Sequence, residues 1–496
     1  MAVPDSSPMS KQQLQAAAML LATLSPAADE LGRLFRRHRH ELALVGGPVR
    51  DVFLDRRPGD LDLATDAPPE RVLEIVRGWA DQVWTIGIEF GTVGLVKDGD
   101  TFEITTYRSE QYSRTSRKPV VAHHQSLEDD LSRRDFTVNA MAARLPGHEL
   151  VDPFGGVADL QRKVLRTPGR PEDSFTDDPL RILRAARFAA QLGFSVEPGT
   201  REVMTELAPL LAPPKVSAER ISAELTKLIC SPLPRGPAAG IALLVDTGVA
   251  DYLLPEIPAL RLERDEHYRH KDVYQHSLTV LNQAITLEEQ YGLRQDLRLR
   301  LAALLHDIGK PATRRLLPNG RVAFHHHEME GAKLARKRLS QLRFSKDVVA
   351  DVSRLIELHL RFHGYGGEWT DSAVRRYVTD AGPLLPRLHA LTRADCTTRN
   401  QAKAQRLARA YDGLEQRIAE LAQQEELDRI RPDLDGNQIM RLLGIGPGPL
   451  VGRAYQHLRE LRLEHGPLGE ERAAQELLDW AASEGLAGPA SAPRES

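Results

Sequence analysis

Cysteine, long apolar runs and an excess of one charge are all missing from this sequence, and each shortage excludes a class of protein. The 496 residues include only 2 cysteines, Cys230 and Cys396, which excludes a disulfide framework and a cysteine-based metal site. The most apolar N-terminal stretch, residues 16–24, is much shorter than the roughly 20 residues of a membrane span and lacks the charged flank of a signal peptide. We therefore expect a cytoplasmic protein without a membrane anchor.

Charge is nearly balanced, and the chain is long. With 66 Lys and Arg against 69 Asp and Glu, the formal net charge is −3, so any surface for nucleic acid must be local. Strand and helix patterns alternate up to about residue 170: a strand at 41–45, a helix at 68–79, and a hairpin at 91–107 that turns at Asp98-Gly99. Almost every later segment has helical spacing. The sequence predicts an α/β head followed by helical domains.

Two aspartates spaced by one residue follow a Gly-Gly turn in GGPVRDVFLDRRPGDLDLATD, residues 46–66. On a strand, Asp60 and Asp62 share one face, so their carboxylates converge. Like charges this close are unfavourable without a cation, and carboxylate oxygens suit Mg²⁺ that carries substrate phosphates. For this pair taken alone, the alternative is a solvated polar turn.

Residues around the pair point to the same site. Gly46 and Gly47 follow a strand and precede Pro48 at a first helical position, where free N–H groups can hold a phosphate. Arg50 would lie on the first helical turn and face the same anion. Glu103 lies on the polar face of the strand TFEITTY and would complete a cage of three carboxylates. The alternative for Glu103 is an exposed strand residue.

Residues 46–65 resemble the active-site signature of the class II branch of the nucleotidyltransferase superfamily, which holds tRNA CCA-adding enzymes and bacterial poly(A) polymerases. Further motifs follow in the order of that family: DLSRRDFTVNAMA (130–142), DPFGGVADLQRKVLRTPG (152–169) and DDPLRILRAARFAAQLGF (177–194). The resemblance covers roughly residues 40–260. It implies a palm-like head, a helical neck, and Mg²⁺ ligation by Asp60 and Asp62 for in-line attack of an RNA 3′-hydroxyl on a nucleotide α-phosphate.

The resemblance also implies roles for residues within the matching motifs. Arg50, Arg134 and the backbone of Gly47 would approach the triphosphate or the ribose. Asp135 and Asn139 would support the loop that carries Arg134.

The stretch DDPLR predicts a device for choosing a base. Asp178 and Arg181 are three residues apart, and we expect them on one helix face. A carboxylate beside a guanidinium matches the amino donor and ring-nitrogen acceptor of cytosine and adenine, and clashes with uracil and guanine. In the family the matching residues act as a protein template, with Arg184 one position further round. An ordinary ion pair between these side chains is the alternative.

A local basic array supports an RNA partner. It comprises the loop 107–118 and Arg162, Lys163, Arg166, Arg170, Arg181, Arg184 and Arg187. A solvated arginine-rich helix is the alternative.

A second set of residues resembles the HD superfamily of metal-dependent phosphohydrolases over about residues 270–400. The ligand types occur in the order of that superfamily, with an adjacent His-Asp pair: His276, His306, Asp307, His327, His359 and Asp395. Imidazoles and carboxylates suit a divalent transition metal such as Mn²⁺, Ni²⁺ or Co²⁺ that activates water. His325 and His326 compete with His327 for one ligand position, and His363 competes with His359. A degenerate, structural HD unit is the alternative.

The whole chain is therefore predicted to contain four parts: a nucleotidyltransferase head (1–175), a helical neck for nucleobase and RNA (176–260), an HD domain (261–400) and a helical tail (401–496) that clamps the acceptor stem or supports oligomerisation. We expect addition of CCA to tRNA from CTP and ATP. The alternatives are a poly(A) polymerase and a tRNA-binding phosphohydrolase with an inactive head. The motif TVNAMA and the absence of a long Lys/Arg-rich tail favour CCA addition over poly(A) addition.

Overall fold

The computed structural model describes residues 25–56, 59–111, 120–123, 126–212, 215–262, 272–319, 322–362, 370–397, 400–425 and 431–486. The apolar stretch 16–24, most of the basic loop 107–118, and His363 lie outside them. The chain divides into two compact units, Met1–Pro255 and Glu256–Ser496. None of the helices in the described ranges is long and apolar enough to cross a membrane.

The first half of unit 1 alternates strands with short helices, as predicted. In chain order the elements are α1 Pro26–Arg37, β1 Leu42–Val45, α2 Gly47–Phe53, β2 Leu61–Thr65, α3 Pro69–Val76, β3 Gln82–Trp84, β4 Thr92–Lys97, β5 Asp100–Thr106, β6 Arg108–Gln111, β7 Val120–His123, α4 Leu127–Ser132, β8 Ala142–Leu145, β9 Glu149–Val151, α5 Gly156–Arg162 and β10 Val164–Leu165.

The main sheet of this unit has seven strands in the described residues, in the order β3-β4-β5-β2-β1-β8-β9. Neighbouring strands are antiparallel, except that β2 runs parallel to β5 with Asp62 beside Glu103. Since side chains alternate along a strand, Leu63 and Ile104 are buried on one face while both carboxylates lie on the other. The predicted hairpin is confirmed: β4 and β5 are joined by Asp98 and Gly99, with φ of 51° and 87°.

The rest of unit 1 is helical apart from one short strand. Its elements are α6 Pro171–Asp177, α7 Leu180–Leu192, β11 Ser195–Val196, α8 Pro198–Leu207, α9 Ala218–Ile229, α10 Gly236–Asp246 and α11 Ala250–Leu253. Helix α7 packs against α9 and α10 through side chains that include Ile182, Leu225 and Ile241, which are almost fully buried. Burial of this apolar face stabilises the three helices as one group.

Unit 2 is mostly helical, although entirely helical was the expectation. Its elements are α12 Glu256–Ala259, α13 Val273–Leu287, α14 Leu297–Leu305, α15 Lys310–Thr313, β12 Arg314–Leu316, β13 Val322–Phe324, α16 His327–Gln341, α17 Lys346–Leu358, α18 Asp371–Ala381, α19 Leu385–Asp395, α20 Gln401–Glu425, α21 Gly436–Leu443, α22 Pro449–His465 and α23 Glu470–Ser483. The hairpin of β12 and β13 delivers the chain to the start of α16. Helices α21 to α23 share a small apolar core around Ile439, Leu458 and Leu477.

Candidate active sites

Four carboxylates line an acidic cavity of about 280 Å³ in unit 1, together with Gly47, Pro48 and Gly59: Asp51, which accepts from Arg50, and Asp60, Asp62 and Glu103. Asp60 directly precedes β2, Asp62 lies on it, and Glu103 is its register neighbour on β5. The sheet register therefore brings together the carboxylates that alternation along the strands predicts. Hard oxygen donors in this number fit a divalent cation such as Mg²⁺.

The electrostatics of Asp62 agree with a cation site. Desolvation in the pocket raises the pKa of Asp62 to about 6, and the carboxylates of Glu103 and Asp60 add to the rise, while Arg134 and Arg50 oppose it. Without a cation the folded protein therefore disfavours the ionised form of Asp62.

The Gly-Gly turn brings the backbone close to an arginine. Gly46 precedes α2 with φ of 73°, in the left-handed region that favours glycine. A Cβ added at Gly46 would lie 2.7 Å from Nη1 of Arg134. The conformation of the turn thus favours glycine at position 46, and a side chain there would displace the end of Arg134, whose other terminal nitrogen donates to Asp130 at 3.1 Å.

A second cavity of about 450 Å³ adjoins the first and shares Gly47 and Asp62 with it. Its lining contains all nine residues that we predicted to bind the nucleotide, together with three others: Gly46, Gly47, Arg50, Asp62, Arg134, Asp135, Asn139, Asp178, Arg181, Arg184, Arg187 and Phe188. Guanidinium groups outnumber carboxylates in this lining. The cavity therefore suits a polyanion such as a nucleoside triphosphate.

A continuous hydrogen-bond chain crosses this cavity. Arg50 donates to Oδ1 of Asn139 at 2.7 Å, and Nδ2 of Asn139 donates to Asp135 at 2.9 Å. Nε of Arg184 donates to the other oxygen of Asp135 at 2.8 Å. Burial acts to raise the pKa of Asp135, but the Arg184 guanidinium and these hydrogen bonds hold it below its usual value. Asp135 is thus a buried anion that fixes Arg184 and Asn139.

Our prediction that Asp178 and Arg181 share one helix is wrong. Asp178 caps the C-terminal end of α6, and α7 begins only at Leu180. Arg181 donates to Oγ of Ser174 at 2.8 Å and to the carbonyl of Arg133 at 2.5 Å. Both side chains nevertheless line the same cavity.

In unit 2, the six residues predicted as metal ligands converge on one centre. Nε2 of His276 lies 2.9 Å from Asp395 Oδ1 and 3.6 Å from Asp307 Oδ2. Nε2 of His306 lies 3.2 Å from Asp307 Oδ2, and Nε2 of His327 lies 3.3 Å from Asp307 Oδ1. His359 joins His327 and Asp307 in a group whose ligand atoms lie within 4.8 Å of one another.

The outer nitrogen of each histidine is held by an oxygen. The Nδ1 atoms of His306, His327 and His359 lie 2.9, 2.8 and 2.6 Å from the carbonyl oxygens of Ala303, Phe324 and Ile356. This arrangement leaves Nε2 as the inward ligand atom. Nε2 of His359 is buried and has no hydrogen-bond partner among the described residues, so the donor set fits a divalent transition metal.

The structure also shows which histidine of residues 325–327 lies at this centre. His327 is buried at the start of α16, whereas His325 and His326 are exposed. His327 is therefore the residue of that triplet that reaches the centre.

Comparison with known proteins assigns the family. Residues 42–166 match the poly A polymerase head domain, residues 193–260 match the probable RNA- and SrmB-binding site of polymerase A, and residues 273–400 match the HD domain. The chain is 36% identical to the A-adding tRNA nucleotidyltransferase of Deinococcus radiodurans over 88% of this chain and 93% of that protein. The chain belongs to the tRNA nucleotidyltransferase family. It is 35% identical to the CC-adding tRNA nucleotidyltransferase of Thermus thermophilus, also over 88% of this chain and 93% of the relative.

The fold of the tRNA nucleotidyltransferase family extends over nearly the whole chain. The structure of the Bacillus stearothermophilus CCA-adding enzyme in complex with CTP is similar with a TM-score of 0.67 and 25% identity, over 96% of this chain and 99% of that one. The chain is therefore a nucleotidyltransferase that also carries an HD domain.

The sequence did not single out one residue of this tRNA nucleotidyltransferase site, the aromatic Phe188. Its ring lies under the guanidinium groups of Arg50, Arg184 and Arg187, at 5.5, 5.6 and 3.8 Å from its centroid. Phe188 is one helical turn beyond Arg184 in α7, so the i,i+4 spacing was the available signal. The ring supports cations that face the nucleotide cavity.

Proposed function

We propose that this protein adds the terminal CCA of tRNA in the cytoplasm, using CTP and ATP, with Mg²⁺ held by Asp60, Asp62 and Glu103. The supporting observation is the junction of the acidic cavity with the arginine-lined cavity at Gly47 and Asp62. Metal-bound phosphates and a nucleobase then occupy adjoining spaces built from protein side chains, so no nucleic-acid template is required.

The residues of the chain divide the task. Bound Mg²⁺ would supply charge stabilisation for the attack of the RNA 3′-hydroxyl on the α-phosphate. Arg50 and Arg134 neutralise the triphosphate, and Asp135 and Asn139 keep the surrounding loop in place. Asp178 accepts from the exocyclic amino group of cytosine or adenine, and Arg181 and Arg184 supply donors to the ring nitrogen.

The deciding experiment uses a tRNA that lacks CCA, an oligo(A) primer and single-nucleotide resolution. The purified protein should add two cytidines and then one adenosine to the tRNA and stop, and it should extend oligo(A) poorly. Long A tails on either primer, without dependence on CTP, would instead identify a poly(A) polymerase.

A second candidate is the addition of only part of CCA, and the names of two relatives favour it. The relatives matched over 88% of the chain are named A-adding and CC-adding. Two further substrates, tRNA ending in C and tRNA ending in CC, separate the possibilities. A CC-adding enzyme stops before adenosine, whereas an A-adding enzyme extends only the tRNA that ends in CC.

We also propose that the centre in unit 2 hydrolyses phosphoesters with a divalent transition metal such as Mn²⁺, Ni²⁺ or Co²⁺. The six convergent side chains and the inward, unpartnered Nε2 of His359 support this proposal.

A further inference from the structure

Asp178 is restrained from two sides although it lies in the break between α6 and α7. The backbone N–H of Leu180 donates to Oδ1 of Asp178 at 3.2 Å. Nη2 of Arg220 donates to Oδ2 at 2.9 Å. A carboxylate offers about four lone-pair sites. Two contacts therefore orient the group and leave it able to accept from a base.

Arg220 approaches this carboxylate from outside the nucleotide cavity. It lies in the first turn of α9, and among the described residues it is not part of the cavity lining. Its side chain is 52% exposed, and that of Asp178 is 31% exposed. An ion pair so open to solvent contributes little to the stability of the fold. The contact does, however, fix the direction in which the Asp178 carboxylate points.

Without Arg220 the surroundings of Asp178 favour a different contact. Arg181 is three residues away, Arg184 lies further along α7, and the cavity contains other guanidinium groups. Burial acts to lower the pKa of Arg184, but the charges of Asp135, Glu224 and Asp178 raise it. The Asp178 charge therefore already acts on one guanidinium group of the cavity. If the Asp178 carboxylate turned into the cavity, it would pair with these guanidinium groups. Neither the carboxylate nor the guanidinium groups would then be free to bind the base.

Helix α9 carries a second residue, Glu224, that contacts arginines of the nucleotide cavity. Glu224 is one turn after Arg220 on α9 and is 4% exposed. It accepts from Nε of Arg187 at 2.5 Å and lies 3.7 Å from Nη1 of Arg184. Through Arg220 and Glu224, helix α9 therefore contacts Asp178, Arg184 and Arg187.

We propose that Arg220 is a positioning residue for nucleotide selection: it holds Asp178 toward α9, so that Asp178 and Arg181 stay separate and both face the base. This inference rests on the proposed function. Arg220 touches neither the substrate nor the metal site, and it acts on selection through Asp178.

The test compares the wild type with Arg220→Ala, Arg220→Lys and the control Arg201→Ala. Arg201 is also an exposed arginine on a neighbouring helix, where it pairs with Asp246 at 3.5 Å away from the cavity. The measurements are kcat/KM for each of the four nucleoside triphosphates on tRNA, and equilibrium binding of CTP and UTP to the RNA-free protein. A ratio between nucleotides is unaffected by a loss of active enzyme, so a purely structural role would not change it.

Arg220→Ala should reduce the preference for CTP over UTP and for ATP over GTP by about tenfold. Arg220→Lys should restore most of the preference, and Arg201→Ala should retain it. Unchanged ratios in Arg220→Ala would overturn the inference while leaving the proposed function intact. If the wild type extends no tRNA, the proposed function fails, and the binding ratio of CTP to UTP alone decides the role of Arg220.

Discussion

Asp62 meets two opposing demands. Its carboxylate opens onto both cavities of the transferase site, where it would hold a cation, yet its pKa is raised to about 6 by desolvation and by neighbouring carboxylates. A carboxyl group with a raised folded-state pKa contributes stability below its ordinary pKa of 3.8, and this stability is lost as the pH rises through about 6, because the folded state disfavours the ionised form.

Neutralising Asp62 should therefore separate activity from stability. Asp62→Asn, like Asp60→Asn, should reduce nucleotide addition by at least about a hundredfold, because the charge that holds the metal is lost. The melting temperature of metal-free Asp62→Asn at pH 7 should equal or exceed that of the wild type. Asp98→Asn, in the exposed hairpin turn with φ of 51°, is the matched control and should leave both quantities unchanged. If a folded double variant, Asp60→Asn with Asp62→Asn, extended tRNA normally, the assignment of these residues as metal ligands would be wrong.

The sequence predicted contacts within a strand or motif and missed contacts between distant helices. Alternation along two strands was enough to place Asp62 and Glu103 on one face. The pairing of Arg220 with Asp178, 42 residues apart, depends on how α9 packs, which no local period contains. Long-range ion pairs of this kind are set by tertiary packing, so only the structure could reveal them.

At the scale of elements, the break between α6 and α7 has a clear cause in the sequence. Pro179 follows Asp178, and a proline disfavours helical φ and ψ in the residue before it. Asp178 accordingly has φ of −137° and ψ of 96°. The proline rule, weighed against the i,i+3 spacing, would have predicted a cap in place of a shared helix face.

Helix α19 carries a buried histidine, His389, that should make unit 2 sensitive to acid. Burial lowers the pKa of His389 to about 4, although Glu415, 3.7 Å from Nδ1, acts to raise it. The unfolded chain takes up a proton near pH 6.5, which the folded protein does not bind until about pH 4. Stability that is present above pH 6.5 is therefore lost as the pH falls toward 4.

Replacing His389 should flatten this dependence. Between pH 7.5 and pH 5, His389 accounts for a loss of about 2 kcal/mol in the free energy of unfolding. Denaturant unfolding at both pH values should show this loss in the wild type and a smaller one in His389→Gln. Tyr291→Phe keeps both the imidazole and the ring stacked on it and removes only the hydroxyl that donates to Glu415, so it should retain most of the wild-type loss. Equal losses in His389→Gln and the wild type would contradict the assignment.

At the scale of the whole molecule, the transferase site and the proposed hydrolase site belong to separate units of the chain. The transferase residues lie within Met1–Pro255 and the HD residues within Glu256–Ser496. His306→Ala with Asp307→Ala should abolish metal-dependent hydrolysis of 2′,3′-cyclic and simple phosphate substrates, because both residues belong to the convergent ligand set. Nucleotide addition should continue at close to the wild-type rate.

The exposed His326 offers the matched control for this pair of changes. His326→Ala should hydrolyse the same substrates as the wild type, since its neighbour His327 is the residue that reaches the centre. Absence of hydrolysis by the wild type with Mn²⁺, Ni²⁺ and Co²⁺ would leave the HD unit with a structural role.

The placement of the transferase side chains has a consequence for how such enzymes diverge. The proposed cation ligands lie on strands of the central sheet or, for Asp60, directly before one, and a shift of one residue in a strand would reverse every side chain. The side chains proposed to face the base lie on α7 and in the break between α6 and α7, where single substitutions leave the sheet untouched. The choice of nucleotide can therefore change by substitution during evolution while the reaction stays the same. Two relatives that are named for different nucleotides and equally distant from this chain are what such a division of labour would produce.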